Sequence, residues 1–254
     1  MKFYLGTHCT EWQSRTYAPL FISARRLRIR NIVRAKAPWA LDSGGFSEIS
    51  LYGEWRTPAD RYAEEVRLWS KKIGMMEWAA IQDWMCEPIM LAKTGLSIGE
   101  HQRRTIESYR DLLQLAPEQP WAPVLQGWKI EDYLDHYRQY QDAGFDLRRA
   151  AVVGVGSVCR RQATNEIRDL FLALRPLGLR LHGFGMKLEG LAKCHRLLSS
   201  ADSMAWSFYA RREPGPMFPE CRHRKCASCL RWAIKWREKI LATTMLDRMS
   251  ARVV

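Results

Sequence analysis

No stretch of this sequence approaches the roughly 18 consecutive apolar residues that a membrane-spanning helix requires. Its opening residues, MKFYLGTHCTEW, lack the long apolar segment and small-residue cleavage site of a secretory signal. A soluble, cytoplasmic protein without a membrane partner is therefore expected. Repeats, low-complexity tracts and long Gly/Ser linkers are also missing, so no internal boundary is expected before the C-terminal cysteines. The seven cysteines do not form an even framework. Cys9, Cys86, Cys159 and Cys194 are scattered, whereas Cys221, Cys226 and Cys229 fall within nine residues. This excludes a disulfide scaffold and points to a metal in a reducing compartment. Acidic residues are scarce relative to basic ones: 27 Asp and Glu against 40 Lys and Arg, a net charge of +13. Such an excess favours polyanions through phosphate contacts and counterion release. An arginine-rich proteome leaves the same imprint, and charge alone does not separate DNA from RNA.

What is present is enough for a substantial core, 47% hydrophobic over 254 residues. Short apolar runs ending in Gly, Asp or Ser alternate with segments of helical period. Strands are predicted at 2–6, 19–24, 39–42, 78–83, 122–126, 151–155, 179–184 and 203–208. Helices are predicted at 57–72 (Thr57 as cap, Pro58 at the first position), 98–115, 130–143, 162–174, 188–198 and 230–249. Eight strands alternating with helices indicate an α/β chain with a parallel sheet. The expected form is a (β/α)8 TIM-like barrel, with an open doubly wound sheet as the competing arrangement. Polar or glycine-rich signatures end strand after strand, and in a barrel that face carries the active site.

Those strand-end signatures resemble, in order, the tRNA-guanine transglycosylase superfamily over nearly the whole chain. Leu41-Asp42-Ser43-Gly44-Gly45-Phe46 resembles its D-S-G-G-F-Q signature, with Ser47 in place of Gln. Ile81-Gln82-Asp83 resembles the strand end bearing a base-binding Asp, and Val124-Leu125-Gln126-Gly127 its V-Q-G segment. Val153-Gly154-Val155-Gly156 is similar to its G-G-L-like segment, and His182-Gly183-Phe184-Gly185 to its G-V-G strand end. The run from Asp202 to Arg211 (DSMAWSFYAR) is similar to the archaeal branch's D-S-A-S-Y-A-x-Y-A-R, whose Asp is the nucleophile.

The resemblance implies a pentosyltransferase that exchanges guanine in a nucleic acid for a 7-deazaguanine, such as the 7-cyano compound. Base exchange at C1′ passes through an oxocarbenium-like centre, for which a carboxylate nucleophile and a second, proton-managing carboxylate suffice. Asp202 and Asp42 take those roles. Asp83 and Gln126, with a backbone N–H near Gly154 and Gly156, would read the base edge. Ser43 and Gly44 complete the substrate set, with Phe46, Trp84 or Met186 as walls for the flat base. Taken singly, Asp42 and Asp202 also read as turn residues, Asp83 as a strand end and Gln126-Gly127 as a turn. His8, His101, His136, His182 and His195 show no ligand spacing, and most of them read as structural or surface.

Cys226-x2-Cys229 is a zinc-knuckle spacing, and Cys221 with His223 completes a Cys3His set suited to a structural Zn2+. The superfamily instead uses C-x-C-x2-C and a later His; here His223 stands where a Cys is usual and no His follows Cys229. Around the knuckle, Arg211, Arg212, Arg222, Arg224, Lys225, Arg231, Lys235 and Arg237, with Trp232 and Trp236, are candidates for a phosphate backbone. The Arg25–Arg34 stretch is a second candidate, and a solvated charged face is the plain alternative to both. The expected organisation is a catalytic barrel over 1–212 and a zinc knuckle with a C-terminal helix over 213–254. The chain is shorter than tRNA-modifying members. With the DSMAWSFYAR segment, this resembles the phage and bacterial DNA-guanine transglycosylase branch, whose base modification evades restriction. DNA is thus the expected partner, in the host cytoplasm if phage-encoded, with a flipped-out base if the target is a duplex. The same chemistry on tRNA is the alternative, and a non-catalytic zinc-containing nucleic-acid-binding protein the second. Superfamily members often dimerise, so a homodimer is an expectation too.

Overall fold

The computed structural model describes residues 1–159, 161 and 165–250, with side chains as far as residue 244. In chain order the main elements are β1 (Lys2–Thr7), β2 (Leu20–Ser23), α1 (Ala24–Leu27), β3 (Trp39–Asp42), α2 (Gly45–Tyr52), α3 (Ala59–Ile73) and β4 (Met76–Ala80). There follow α4 (Pro88–Thr94), α5 (Ile98–Leu115), β5 (Trp121–Ala122), β6 (Val124–Leu125), α6 (Ile130–Asp142) and β7 (Val153–Val155). The last are α7 (Glu166–Leu174), β8 (Leu181–Gly183), α8 (Leu188–Cys194), β9 (Ser200–Ser203), α9 (Ala205–Arg212) and α10 (Leu230–Ser250).

All pairings are parallel, in the order β5-β4-β3-β2-β1-β9-β8-β7-β6. The two ends of that order, β5 and β6, are halves of one extended segment separated only by Pro123. Proline lacks an N–H and interrupts the ladder there, but its carbonyl still accepts from Gly154 N–H at 2.8 Å. The sheet is therefore a nearly closed barrel of eight staves, and the open doubly wound alternative is excluded.

Period-two alternation sorts the strand residues. Tyr4, Phe21, Ala40, Trp78, Ala80 and Ala122 form one buried cluster inside the barrel, whereas Leu5, Ile22, Leu41 and Ala79 belong to a second that packs against the helices. By the same alternation Asp42, two residues beyond Ala40, faces inward, as does Asp202, which lies in register with Tyr4. On α3 the buried residues Tyr62, Ala63, Val66, Trp69 and Ile73 recur at helical spacing, and α5 starts at Ser97, whose side chain accepts from Glu100 N–H.

Four predicted elements differ. The strand predicted at 78–83 is seen at Met76–Ala80, so Asp83 lies three residues beyond its strand. The strand predicted at 203–208 is instead β9 at Ser200–Ser203 followed by α9, so Asp202 lies toward the end of its strand rather than at its start. In α9 Trp206 and Ala210 are buried while Phe208 and Tyr209 are exposed, a helical and not an alternating pattern. Thr57 is not the cap of α3. Pro58 occupies that position, and the Thr57 N–H and hydroxyl both donate to Glu48 at 2.9 Å. The helix predicted from 162 is seen at Glu166–Leu174; residues 162–164 lie outside the described ones. Helices α1, α2 and α4 were not anticipated.

Candidate functional site

At the C-terminal ends of the strands lies a cavity of about 260 Å³, lined by Asp42, Asp83, Gln126, Gly156 and Asp202 among others. This is small beside the roughly 300–1,000 Å³ of sites for drug-sized ligands, and suits one flat heterocycle. Residues spread over 160 positions of sequence converge here because each ends a different strand of one barrel.

Asp202 Oδ1 accepts from the Gly185 N–H at 2.9 Å and lies 3.3 Å from His182 Nε2. His182 is wholly buried, and its Nδ1 meets Ser200 Oγ at 2.9 Å, so two β8–β9 contacts hold the ring against Asp202. Trp78 (4.7 Å between centroids) and Phe184 (4.9 Å) pack edgewise on the same ring. Asp42 sits in register with Ser23, and hydrogen bonds from the Ser23 side chain and the Gly44 N–H reach its carboxylate. Burial raises the Asp42 pKa above the ordinary range; those two hydrogen bonds oppose the rise and the negative charge of Asp202 adds to it.

Asp83 is the third buried carboxylate. Burial pushes its pKa up to about 7; the Gln126 amide opposes the shift, and Asp42 and Glu87 add to it. Gln126 Nε2 donates to Asp83 Oδ2, and Ser43 Oγ donates more weakly to Oδ1 at 3.4 Å. Gln126 Oε1 lies 2.7 Å from Ser157 Oγ, which is also 2.8 Å from Glu87 Oε2; the single hydroxyl proton serves one of the two. The Gln126 backbone is fixed as well: its N–H donates to His136 Nδ1 (2.9 Å) and its carbonyl accepts from Gln102 Nε2 (2.8 Å). Burial lowers the His136 pKa to about 3, so the ring is neutral and can accept. Gly156 is required by close approach, since a Cβ there would lie 2.1 Å from Gln126 Nε2.

Several expected contacts fall elsewhere. The Gly154 and Gly156 N–H groups are spent in the sheet, on the carbonyls of Pro123 and Leu125. The next N–H, that of Ser157, has no partner among the described residues and belongs to a non-glycine residue at φ 57°. Met186 is fully buried among Val155, Leu191 and Leu198 and does not line the cavity; nor does Trp84, which joins Ile49, Met85 and Met90. Phe46 does line it, with Phe21, Phe184, Met85 and Met204 supplying the other apolar walls. Ser43 and Gly44 shape the turn behind the cavity rather than its lining. Ser23, Glu87, Ser157 and His182 were not singled out from sequence. The inward register of Leu181-His182-Gly183 could have flagged His182; Glu87, before Pro88, reads only as a helix start.

Cys221, His223, Cys226 and Cys229 bring one ligand atom each within 4.8 Å of one another. Cys221 Sγ and Cys229 Sγ are 4.0 Å apart, close to the tetrahedral edge of about 3.8 Å implied by Zn–S bonds of about 2.3 Å. A Cys3His set is also the soft, closed donor set of a structural metal site, so the residues fit a bound metal ion. The knuckle touches the barrel mouth through His8 Nε2 and Ser228 Oγ, 2.8 Å apart.

The basic residues around the knuckle divide. Arg231 pairs with Glu220 (2.9 Å), Lys235 with Glu238 (3.5 Å), and Lys225 donates to the Arg211 carbonyl at the end of α9. Trp232, Trp236 and Arg237 turn to the barrel, Trp232 Nε1 donating to the Trp206 carbonyl and Arg237 to that of Phe3. Arg211, Arg212, Arg222 and Arg224 stay exposed, with Arg212 stacked 3.9 Å over Phe208. Among the described residues no helix is long and apolar enough to cross a membrane.

No curated protein matches the chain significantly. The family described as DpdA, DeoxyPurine in DNA protein A, matches residues 1–253, and the chain belongs to that family, the DNA-guanine transglycosylase branch.

Proposed function

We propose that this protein exchanges guanine in DNA for a 7-deazaguanine by double displacement through an ester between Asp202 and C1′. The observation that carries the reading is that Asp202, Asp42 and the Asp83–Gln126 pair line one small cavity at the strand ends. Asp202 attacks C1′ as the C1′–N9 bond to guanine breaks, and Asp42, whose pKa burial raises, delivers a proton to the departing base. The incoming base then loses its N9 proton to Asp42, its N9 bonds to C1′, and the Asp202 ester bond breaks. His182 and the Gly185 N–H orient Asp202. Asp83 accepts from the ring N–H and exocyclic amine, and the Ser157 N–H serves the base carbonyl. The Cys3His cluster holds a structural Zn2+ that staples residues 213–254 to a barrel of residues 1–212.

The test is purified protein with labelled base and DNA or tRNA, read by nucleoside mass spectrometry. Exchange is expected in DNA. Asp202→Ala should lose at least about a thousandfold in rate and the covalent adduct, with DNA affinity within a few fold of wild type. Exchange by that variant at the wild-type rate would overturn the mechanism, and exchange into tRNA alone would move the substrate.

A further inference from the structure

Beside the base cavity lies a second one of about 460 Å³, and the two share Thr7, Ser23, Asp42 and Met204. Its other walls include Arg25, Arg26, Arg28 and His8. Arg28 is committed, its guanidinium clasping Glu65 at 2.7–3.0 Å. Arg25 and Arg26 are exposed and have no acidic partner among the described residues. The Arg25 stem lies on the turn that follows Asp42: a Cβ on Gly44, at φ +85°, would come within 2.9 Å of Arg25 Cγ. The glycine thus leaves room for the Arg25 stem against the turn that follows Asp42. His8 Nδ1 is buried without a partner. After burial itself, the charges of Arg26 and Arg211 lower the His8 pKa, with Glu11 opposing them and Arg30 adding to the fall.

We infer that this second cavity seats a backbone phosphodiester flanking the target nucleotide, gripped by Arg25 and Arg26. The inference rests on the base-exchange reading. With the base in the first cavity and C1′ at Asp202 and Asp42, the sugar and its phosphate must cross the wall the cavities share. There they meet two uncommitted guanidinium forks and the Thr7 hydroxyl, donors of the kind that position phosphates. The interface then begins at the catalytic carboxylates instead of resting on the knuckle, where half of the expected basic residues are already engaged.

The test compares the double variant Arg25→Ala/Arg26→Ala with a charge-matched control, Lys71→Ala/Lys72→Ala, at the opposite end of the barrel where α3 leads into β4. Affinity for a single-stranded DNA oligonucleotide is measured by fluorescence anisotropy across a salt series, and exchange kinetics with labelled guanine in parallel. The two lost contacts to this one phosphate should reduce the slope of log K against log salt by about 0.7. They should raise KM for DNA about tenfold or more, with KM for the free base and the thermal midpoint unchanged. The control should keep the wild-type slope. A slope and DNA KM equal to those of the control would overturn the inference. Absence of exchange by the wild-type protein would instead strike the base-exchange reading, and the slope comparison would still decide the phosphate site.

Discussion

Asp83 shows how far one residue's chemistry depends on its surroundings. Its carboxyl is raised to about 7 chiefly by burial, with Asp42 and Glu87 nearby. Reading the N–H groups of a guanine requires the ionised form, so base affinity should fall as pH drops through about 7. Measuring KM for the free base between pH 5.5 and 8.5 checks this, and Asp83→Asn should be weak and flat over that range. The stability effect has a definite sign. The folded form binds a proton that the unfolded chain releases near 4, so ΔG of unfolding should decrease as pH rises from about 4 to 7. Asp42, Asp83, Gln126 and Asp202 were all legible in sequence because each sits in a motif at a strand end. His182 was not, because its role depends on the 3.3 Å approach to Asp202 across the β8–β9 register.

Among the elements, α9 departs most from what local sequence suggests. The run Trp206-Ser207-Phe208-Tyr209 is aromatic and reads as a strand, in which Trp206 and Phe208 would share a face. In the helix they do not. Trp206 is buried, donates to the Gly6 carbonyl at 2.8 Å and packs 5.3 Å from Trp12, while Phe208 is half exposed. Trp206→Ala should therefore cost about 3–5 kcal/mol of unfolding free energy, and Phe208→Ala within about 0.5 kcal/mol. Equal losses in denaturant titrations would favour the strand. By contrast, α5 was predicted at its observed limits, because Ser97 caps its start and its buried residues keep helical spacing over 18 residues. Helices α1, α2 and α4 escaped notice because one or two turns hold too few positions for a period to emerge.

For the whole molecule, the barrel and the knuckle are joined by specific contacts: His8 with Ser228, Ser207 Oγ donating to the Ala227 carbonyl at 2.7 Å, and Trp232 Nε1 donating to the Trp206 carbonyl. Removing the proposed metal with a strong chelator should lower the thermal midpoint and raise hydrogen exchange in residues 213–229 and α9 first, with β3 and β4 protected longest. Metal content by elemental analysis fixes the ion, and a folded, metal-free protein with an unchanged midpoint would exclude the staple.

The sequence alone determined the alternation of strands and helices, the order of the strand-end motifs and the four candidate ligands of the knuckle. Those are local properties of spacing and residue type. Only the tertiary structure decided that the sheet closes across Pro123, that Phe21 and Phe184 rather than Met186 face the strand-end cavity, that His182 abuts Asp202, and that the Arg25 stem lies against Gly44. Each of these depends on the register between strands brought together from distant parts of the chain, and a one-residue slip would reverse which side chains face inward.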